Sequence, residues 1–177
     1  MKSYIVNLDR APERMTRMAQ ILRSQAVEFE RFSAIDGRTF TPTDIENYRK
    51  QRQQGKPMTT GEIACAESHL AIFRMIVERE DDYAVVMEDD LHLSADAGRF
   101  LNSADWIPHG AELIKLETVG EPTIIKTKTI SLDNDRKLVQ LAHKHWGSGA
   151  YVISRDAARR VLRDYVAGLT PIDDYLF

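Results

Sequence analysis

Three consecutive carboxylates, Glu88, Asp89 and Asp90, follow a run of apolar residues that begins at Tyr83. The run has the composition of a buried sheet strand, so the acids are expected at the polar edge of a sheet. Because side chains alternate along an extended chain, Glu88 and Asp90 should point to one side and Asp89 to the other. Two like charges this close favour a bound cation, and Mg²⁺ or Mn²⁺ accepts oxygen ligands of this kind. The pattern predicts a metal site, with a solvated acidic turn as the alternative.

A group of arginines lies near the N-terminus, where residues 3–8 predict a first buried strand. Pro12 suits the first position of a helix, and the apolar residues after it recur at helical spacing. Arg10, Arg14 and Arg17 would then lie together near the junction of the strand and the helix. Forked hydrogen bonds from arginine suit phosphate oxygens, whereas a solvated basic face is the plainer alternative and the one that spacing alone favours.

The longest helix signal begins at Thr59, which with Glu62 matches the capping-box pattern of a helix start. Apolar residues then recur at helical spacing as far as Glu80, so we expect a helix packed against a sheet. Ser68 and His69 lie on this helix. A single histidine on a core helix is more often a packed, hydrogen-bonded residue than a ligand, and the pattern alone favours that interpretation.

The remaining segments alternate between strand and helix patterns, which predicts an α/β fold. Short apolar runs predict further strands within 27–35, 112–117 and 150–153. Ser154 is the expected N-cap of a helix after the last of these strands.

Two segments stand apart from this alternation. Residues 41–58 are almost wholly polar, and we expect a surface excursion that can act as a mobile flap. Residues 120–141 place apolar residues on both sides of Asp133, Asn134 and Asp135, which is typical of a turn. This pattern predicts a small hairpin added to the main sheet.

The length of 177 residues predicts a single domain that spans 1–177. A net charge of −3 argues against a general nucleic-acid binder. The single cysteine, Cys65, cannot form an internal disulfide and so fits a reducing compartment. No apolar run reaches the roughly 18 residues of a membrane span. We expect a cytoplasmic protein, with peripheral contact to the inner membrane left open.

Several stretches in order resemble the glycosyltransferase family 25 proteins, which include bacterial lipooligosaccharide galactosyltransferases and animal collagen galactosyltransferases. The stretches are Tyr4–Arg10 with Arg14, Ala34–Gly37, Gly61–Leu70, Val86–Asp90 and Gly149–Ser154. Any one of these motifs alone would be weak evidence, whereas five in the right order are strong evidence.

The resemblance implies a GT-A fold, which is a nucleotide-binding α/β sandwich with a mostly parallel central sheet flanked by helices. It also implies a metal-dependent enzyme that moves a sugar, often galactose, from a UDP-sugar to a lipooligosaccharide or polysaccharide acceptor with inversion. By the same resemblance, Asp90 would ligate Mn²⁺ or Mg²⁺, and Glu88 would face the ribose or the water shell of that ion. The implied donor-binding set is completed by Asn7, Asp9, Arg10, Arg14, Ser68, His69 and Asp89.

An inverting transfer needs a base that removes the proton of the acceptor hydroxyl. Asp173 or Asp174 is the candidate, because a carboxylate just after the last helix can face the donor from the acceptor side; an exposed acidic tail is the alternative. Family members continue past the length of this sequence, so an acceptor-binding segment and a further metal ligand can be lacking. A catalytically inactive nucleotide-sugar-binding domain therefore stays open. A Mg²⁺-dependent phosphohydrolase would use the same acids, but we find no convincing nucleophile at another strand end.

Overall fold

The computed structural model describes residues 1–51, 56–132 and 136–177. In chain order its elements are β1 (Lys2–Asn7), α1 (Pro12–Ser24), β2 (Glu30–Ser33), a 3₁₀ turn (Gly37–Thr39), α2 (Pro42–Gln51), α3 (Thr60–Glu78), β3 (Tyr83–Glu88), α4 (Ala97–Asn102), β4 (Leu113–Lys115), β5 (Ile125–Ser131), β6 (Lys137–Leu141), β7 (Ala150–Ser154), α5 (Arg155–Asp164) and α6 (Ile172–Leu176). The predicted α/β class is confirmed.

Within the described residues, five strands form one mixed sheet in the order β2, β1, β3, β7, β4. Strand β1 pairs in parallel with both β2 and β3, whereas β7 is antiparallel to β3 and to β4. Four strands therefore share one direction and β7 runs against them, so the sheet is mixed, with two parallel and two antiparallel pairings. The order makes β1 and β3 neighbours although β2 lies between them in sequence. The strand order therefore reverses between β1 and β3. An open α/β sheet has a crevice at such a point, outside the carboxyl ends of its strands.

The sheet is covered on both faces, because successive residues of its strands enter different cores. Tyr4 packs in the cluster that contains Phe73 of α3 and Val161 of α5. Ile5 packs on the opposite face with Met18 of α1. The molecule is thus a helix, sheet, helix sandwich, consistent with a GT-A-like α/β fold.

Local sequence sets the start of the two helices that follow the motifs above. The predicted capping box is present, since the Thr59 side chain accepts a hydrogen bond from the Glu62 backbone and the Glu62 side chain bonds back to Thr59. Ser154 caps α5 by accepting a hydrogen bond from the backbone of Ala157. Both predictions are confirmed.

The hairpin prediction is confirmed, although β5 and β6 form a separate two-stranded sheet in the described chain rather than extending the main one. The turn predicted at Asp133, Asn134 and Asp135 lies outside the described residues. So does part of the predicted 41–58 excursion, at 52–55; its described part contains α2, none of whose residues is buried. Among the described helices, none combines the length and the apolar character that a bilayer crossing requires.

Candidate functional site

A cavity of about 510 Å³ opens at the carboxyl ends of β1 and β3. Its walls combine the acids after β3, the residues between β1 and α1, the 3₁₀ turn after β2 and the start of α3. Six of the predicted site residues line it: Arg10, Arg14, Ser68, Glu88, Asp89 and Asp90. The parallel pairing of β1 with β3 brings these sequence-distant groups to one edge of the sheet. Gly37 permits the close approach of the 3₁₀ turn to α3, because a Cβ there would lie 2.5 Å from the carbonyl oxygen of Thr60.

Glu88 lies at the end of β3, with its backbone N–H bonded to the carbonyl of Gly149 at 2.7 Å. Burial, followed by the negative charges of Asp90, Asp89, Glu117 and Asp173, raises the pKa of the Glu88 carboxyl to about 7. Negative charge therefore accumulates around this side chain, which is the electrostatic condition under which a cation binds.

Asp89 and Asp90 occupy different environments. Asp89 is buried, accepts a 2.6 Å hydrogen bond from the Asn7 amide and lies 3.4 Å from the Arg14 guanidinium. The Asp90 side chain is 53% exposed and lies 3.2 Å from the same guanidinium. Asp89 thus ties β3 to β1 and α1, whereas Asp90 remains accessible from the cavity.

The three arginines contact acidic or carbonyl groups rather than forming a separate basic face. Arg10 pairs with Asp36 at 3.0 Å, and Arg14 pairs with the two aspartates described above. Arg17 donates a 3.1 Å hydrogen bond to the backbone carbonyl of Asp89. About half of the side-chain surface of Arg10 and of Arg14 is exposed, so both can exchange their present partners for an anionic ligand.

Asn7 and Asp9 make contacts within the protein. The Asn7 amide donates to Ala11 and Asp89, and its carbonyl oxygen accepts from Arg31. Asp9 accepts hydrogen bonds from Arg31 and Ser33 beside the strand ends. These bonds lower the pKa of the Asp9 carboxyl, and the bond from Arg31 has the larger effect. This geometry favours a role for both residues in positioning the rim of the cavity.

Ser68 and His69 are both buried on α3. The Ser68 hydroxyl donates to the carbonyl of Ala64 and accepts from the N–H of Ile35, which fixes the segment after β2. The Nδ1 atom of His69 lies 2.5 Å from the hydroxyl of Tyr151, and burial lowers the His69 pKa to about 4. The core packing expected for a lone histidine is therefore present.

The two candidate bases lie in different surroundings on α6. Asp173 accepts a 2.9 Å hydrogen bond from the backbone of Gly147 and acts electrostatically on Glu88, His69 and Cys65. Asp174 instead pairs with Lys144 at 2.9 Å. Of the two, Asp173 is therefore the one whose charge acts on Glu88 at the end of β3.

The sequence profile described as glycosyltransferase family 25 (LPS biosynthesis protein) matches residues 1–176. The chain belongs to glycosyltransferase family 25. Three relatives illustrate the similarity. A "Glycosyltransferase 25 family member" of Anopheles gambiae is 29% identical, covering 98% of this chain and 30% of that protein. The "Lipooligosaccharide biosynthesis protein lic2B" of Haemophilus influenzae is 27% identical over an alignment that covers 95% of this chain and 64% of that protein. "Procollagen galactosyltransferase 2" of Mus musculus is 26% identical over an alignment that covers 98% of this chain and 29% of that protein. The chain thus spans under two thirds of each of these relatives.

Within this family 25 domain, sequence reasoning missed Cys65. The thiol lines the cavity, and ligand atoms of Cys65, His69 and Glu88 all lie within 4.8 Å of one another. Cys65 and His69 are four residues apart on α3, a spacing that places both on one face. That spacing was visible in the sequence, but only the sheet brings Glu88 to the same place.

Proposed function

We propose that this chain is a metal-dependent, inverting glycosyltransferase domain that moves a sugar, galactose in our proposal, from a UDP-sugar to a lipooligosaccharide or polysaccharide acceptor. The observation that carries the proposal is the cavity at the ends of β1 and β3, which is lined by both acids and arginines. Its volume falls within the range of small-molecule sites. Family membership supports the reaction class.

The charge around Glu88 supports a divalent ion in this cavity. Burial, and after it the charges of four further carboxylates, raises the pKa of Glu88, and a hard cation would relieve the repulsion among these acids. Asp90 would ligate Mn²⁺ or Mg²⁺, with Glu88 facing its water shell or the ribose. When bound, such an ion offsets the charge that develops on a leaving diphosphate.

Arg10 and Arg14 are the proposed contacts for the diphosphate. They line the cavity together with Thr60 and Gly61 at the start of α3. The partial positive charge of a helix N-terminus favours phosphate oxygens in the same way as the guanidinium groups do. Binding of the donor would replace the present bonds of the arginines to Asp36 and Asp90.

Asp173 is the proposed general base. Its carboxylate would take the proton of the acceptor hydroxyl as that oxygen attacks the anomeric carbon. The new carbon–oxygen bond forms on the face opposite the bond to UDP, which breaks and releases UDP. The hydrogen bond from Gly147 holds the carboxylate in position for this step.

An acceptor of the lipooligosaccharide type is attached to a membrane during its assembly. We therefore propose that the protein works in the cytoplasm, with peripheral contact to the inner membrane. The relative named for lipooligosaccharide biosynthesis supports the acceptor class by similarity.

The experiment that tests the proposal is an assay of UDP release. Purified protein is mixed with UDP-galactose and other UDP-sugars, with Mn²⁺ or EDTA, with and without a truncated lipooligosaccharide acceptor. Ion-dependent UDP release that increases with the acceptor, together with a glycosylated product, is expected. Nucleotide binding without UDP release from any sugar donor would instead indicate a nucleotide-sugar-binding domain and would refute the enzymatic proposal.

A further inference from the structure

Three side chains of different chemistry lie close together beside the cavity. His69 is buried on α3, Cys65 is partly buried on the same helix, and Glu88 ends β3. One ligand atom from each lies within 4.8 Å of the others, and the His69 Nε2 is 4.0 Å from a carboxylate oxygen of Glu88. Cys65 and Glu88 line the cavity, so the group can be reached by a small ion from solvent.

His69 supplies an independent sign that a ligand belongs here. The ring is fully buried, yet its Nε2 has no hydrogen-bond partner among the described residues. A buried polar atom without a partner costs about 1–3 kcal/mol, so such atoms are rare unless something binds them. The atom is on the side of the ring that faces Glu88.

The other ring nitrogen is arranged as it would be in a metal-binding histidine. Nδ1 lies 2.5 Å from the Tyr151 hydroxyl, and the two rings stack with centroids 5.6 Å apart. A hydrogen bond from Nδ1–H to the Tyr151 oxygen leaves the lone pair on Nε2. Metal-binding histidines almost always donate their second N–H in this way, which fixes the tautomer and the ring orientation.

We propose that Cys65, His69 and Glu88 form a binding site for a borderline-soft divalent ion of the Zn²⁺ class, distinct from the hard ion at Asp90. A thiolate ligand favours Zn²⁺ over Mg²⁺ or Mn²⁺. The ligand set is three protein groups of types that zinc accepts, with the fourth position open to the cavity. On binding, the Cys65 thiol releases its proton to solvent, and the sulfur donates the freed electron pair to the ion.

The observed geometry needs only a small adjustment. Tetrahedral zinc with bonds of about 2.0–2.3 Å holds its ligand atoms about 3.3–3.8 Å apart, so the three side chains must close by about 1 Å. His69 is fixed by packing, whereas Glu88 is partly exposed and can rotate toward it. Asp173 acts electrostatically on all three side chains, which favours a cation, whereas burial has the larger influence and raises the pKa of the Cys65 thiol to about 12 while no ion is bound.

This site goes beyond the proposed transferase reaction and does not depend on it. The two ions would differ in their protein ligands, since the hard ion is assigned to Asp90 and the soft one to Cys65 and His69. Glu88 lies between them. A filled soft site would hold Glu88 against α3 in place of the contact with the water shell or the ribose proposed above, and it would leave Asp90 as the protein ligand of the donor-bound ion.

Cobalt substitution tests the site directly, because Co²⁺ bound to a thiolate has a characteristic charge-transfer absorption in the near ultraviolet. Cys65 is the single cysteine of the sequence, so in an untagged protein this absorption can arise at no other residue. The metal-free protein is titrated with Co²⁺ and then with Zn²⁺. We expect the absorption to saturate at one ion per chain and to disappear when Zn²⁺ displaces Co²⁺.

Variants separate this site from the donor-bound ion. Cys65→Ser should lose the absorption completely, and His69→Gln should weaken Co²⁺ binding by about 10-fold or more, since altering even a hydrogen-bond partner of a metal ligand lowers affinity by about 10- to 100-fold. Asp90→Asn should keep the absorption. The proposal would be overturned if the wild-type protein showed no thiolate band. This result does not depend on the folding of any variant. Ion-dependent UDP binding by the same wild-type sample, measured with Mn²⁺, reports on the transferase proposal separately.

Discussion

The side-chain amide of Asn7 donates a 2.6 Å hydrogen bond to the carboxylate of Asp89, and both residues are buried. This bond joins the ends of β1 and β3, the two neighbouring strands whose carboxyl ends form the cavity. Asp89 lies between Glu88 and Asp90 in the sequence, so its buried contact with Asn7 also positions these two acids.

Removal of that contact should destabilise the protein. In Asn7→Ala the buried Asp89 carboxylate loses its closest donor, the side-chain bonds of Asn7 to Ala11 and Arg31 are lost with it, and we expect the free energy of unfolding to fall by about 1–3 kcal/mol. Urea denaturation followed by circular dichroism measures this change. Asp90→Asn is the matched control, because its exposed side chain should change stability by no more than about 0.5 kcal/mol. Equal effects of the two substitutions would show that Asn7 and Asp89 do not stabilise the strand ends.

The two adjacent aspartates of α6 should differ in catalysis. Asp173→Asn should lower the rate of sugar transfer by about 10²- to 10⁴-fold, the usual contribution of a general base, with little effect on UDP binding. Asp174→Asn removes only a surface pair with Lys144 and should change the rate less than about threefold. Steady-state transfer rates at saturating donor measure both. A larger loss in Asp174→Asn would reverse the assignment of the base.

The raised pKa of Glu88 gives stability a defined pH dependence in metal-free buffer. The folded protein keeps this proton up to about pH 7, whereas the unfolded chain loses it near the ordinary value of 4.5. The folded state binds more protons in this window, so this residue's contribution to the free energy of unfolding falls as the pH rises. The side chain of Glu88→Gln cannot titrate. As the pH rises from 4.5 to 7, the free energy of unfolding of this variant should increase relative to that of the wild type by about 1–2 kcal/mol, after allowance for partial exposure.

The prediction concerns the difference in the free energy of unfolding between the wild type and Glu88→Gln, because the titration of His69 changes the free energy of unfolding with pH in the opposite direction. Burial lowers its pKa to about 4, so its contribution is lost as the pH falls below the ordinary value of 6.5. That contribution is common to the wild type and to Glu88→Gln. Urea denaturation of both at several pH values gives the difference, and a difference that is constant with pH would contradict the assignment to Glu88.

The sequence predicted the central elements because each is determined by local pattern. The run before Glu88 is apolar at every position from Ala84 to Met87, and the capping box at Thr59 defines the start of α3. Both signals are contained within a few residues. The alternation of strands with helices was enough to predict the α/β class.

Tertiary contacts that no local pattern records account for the rest of the site. Asp89 resembles its neighbours in sequence, but the pairing of β1 with β3 buries it against Asn7. As a single cysteine, Cys65 shows in the sequence only that it cannot form an internal disulfide, because its approach to Glu88 depends on how α3 packs on the sheet. Asp173 and Asp174 are chemically equivalent in sequence, and only the fold brings one of them toward the acids.

The most direct test of the account is calorimetric titration of the protein with UDP in the presence of Mn²⁺ and in its absence. We expect binding that requires the ion in the wild-type protein, and Asp90→Asn should fold normally but lose the ion-dependent part of the affinity. Wild-type binding that is equally strong with EDTA, or ion-dependent binding that persists unchanged in Asp90→Asn, would contradict the central claim that a metal at Asp90 holds the diphosphate of the donor.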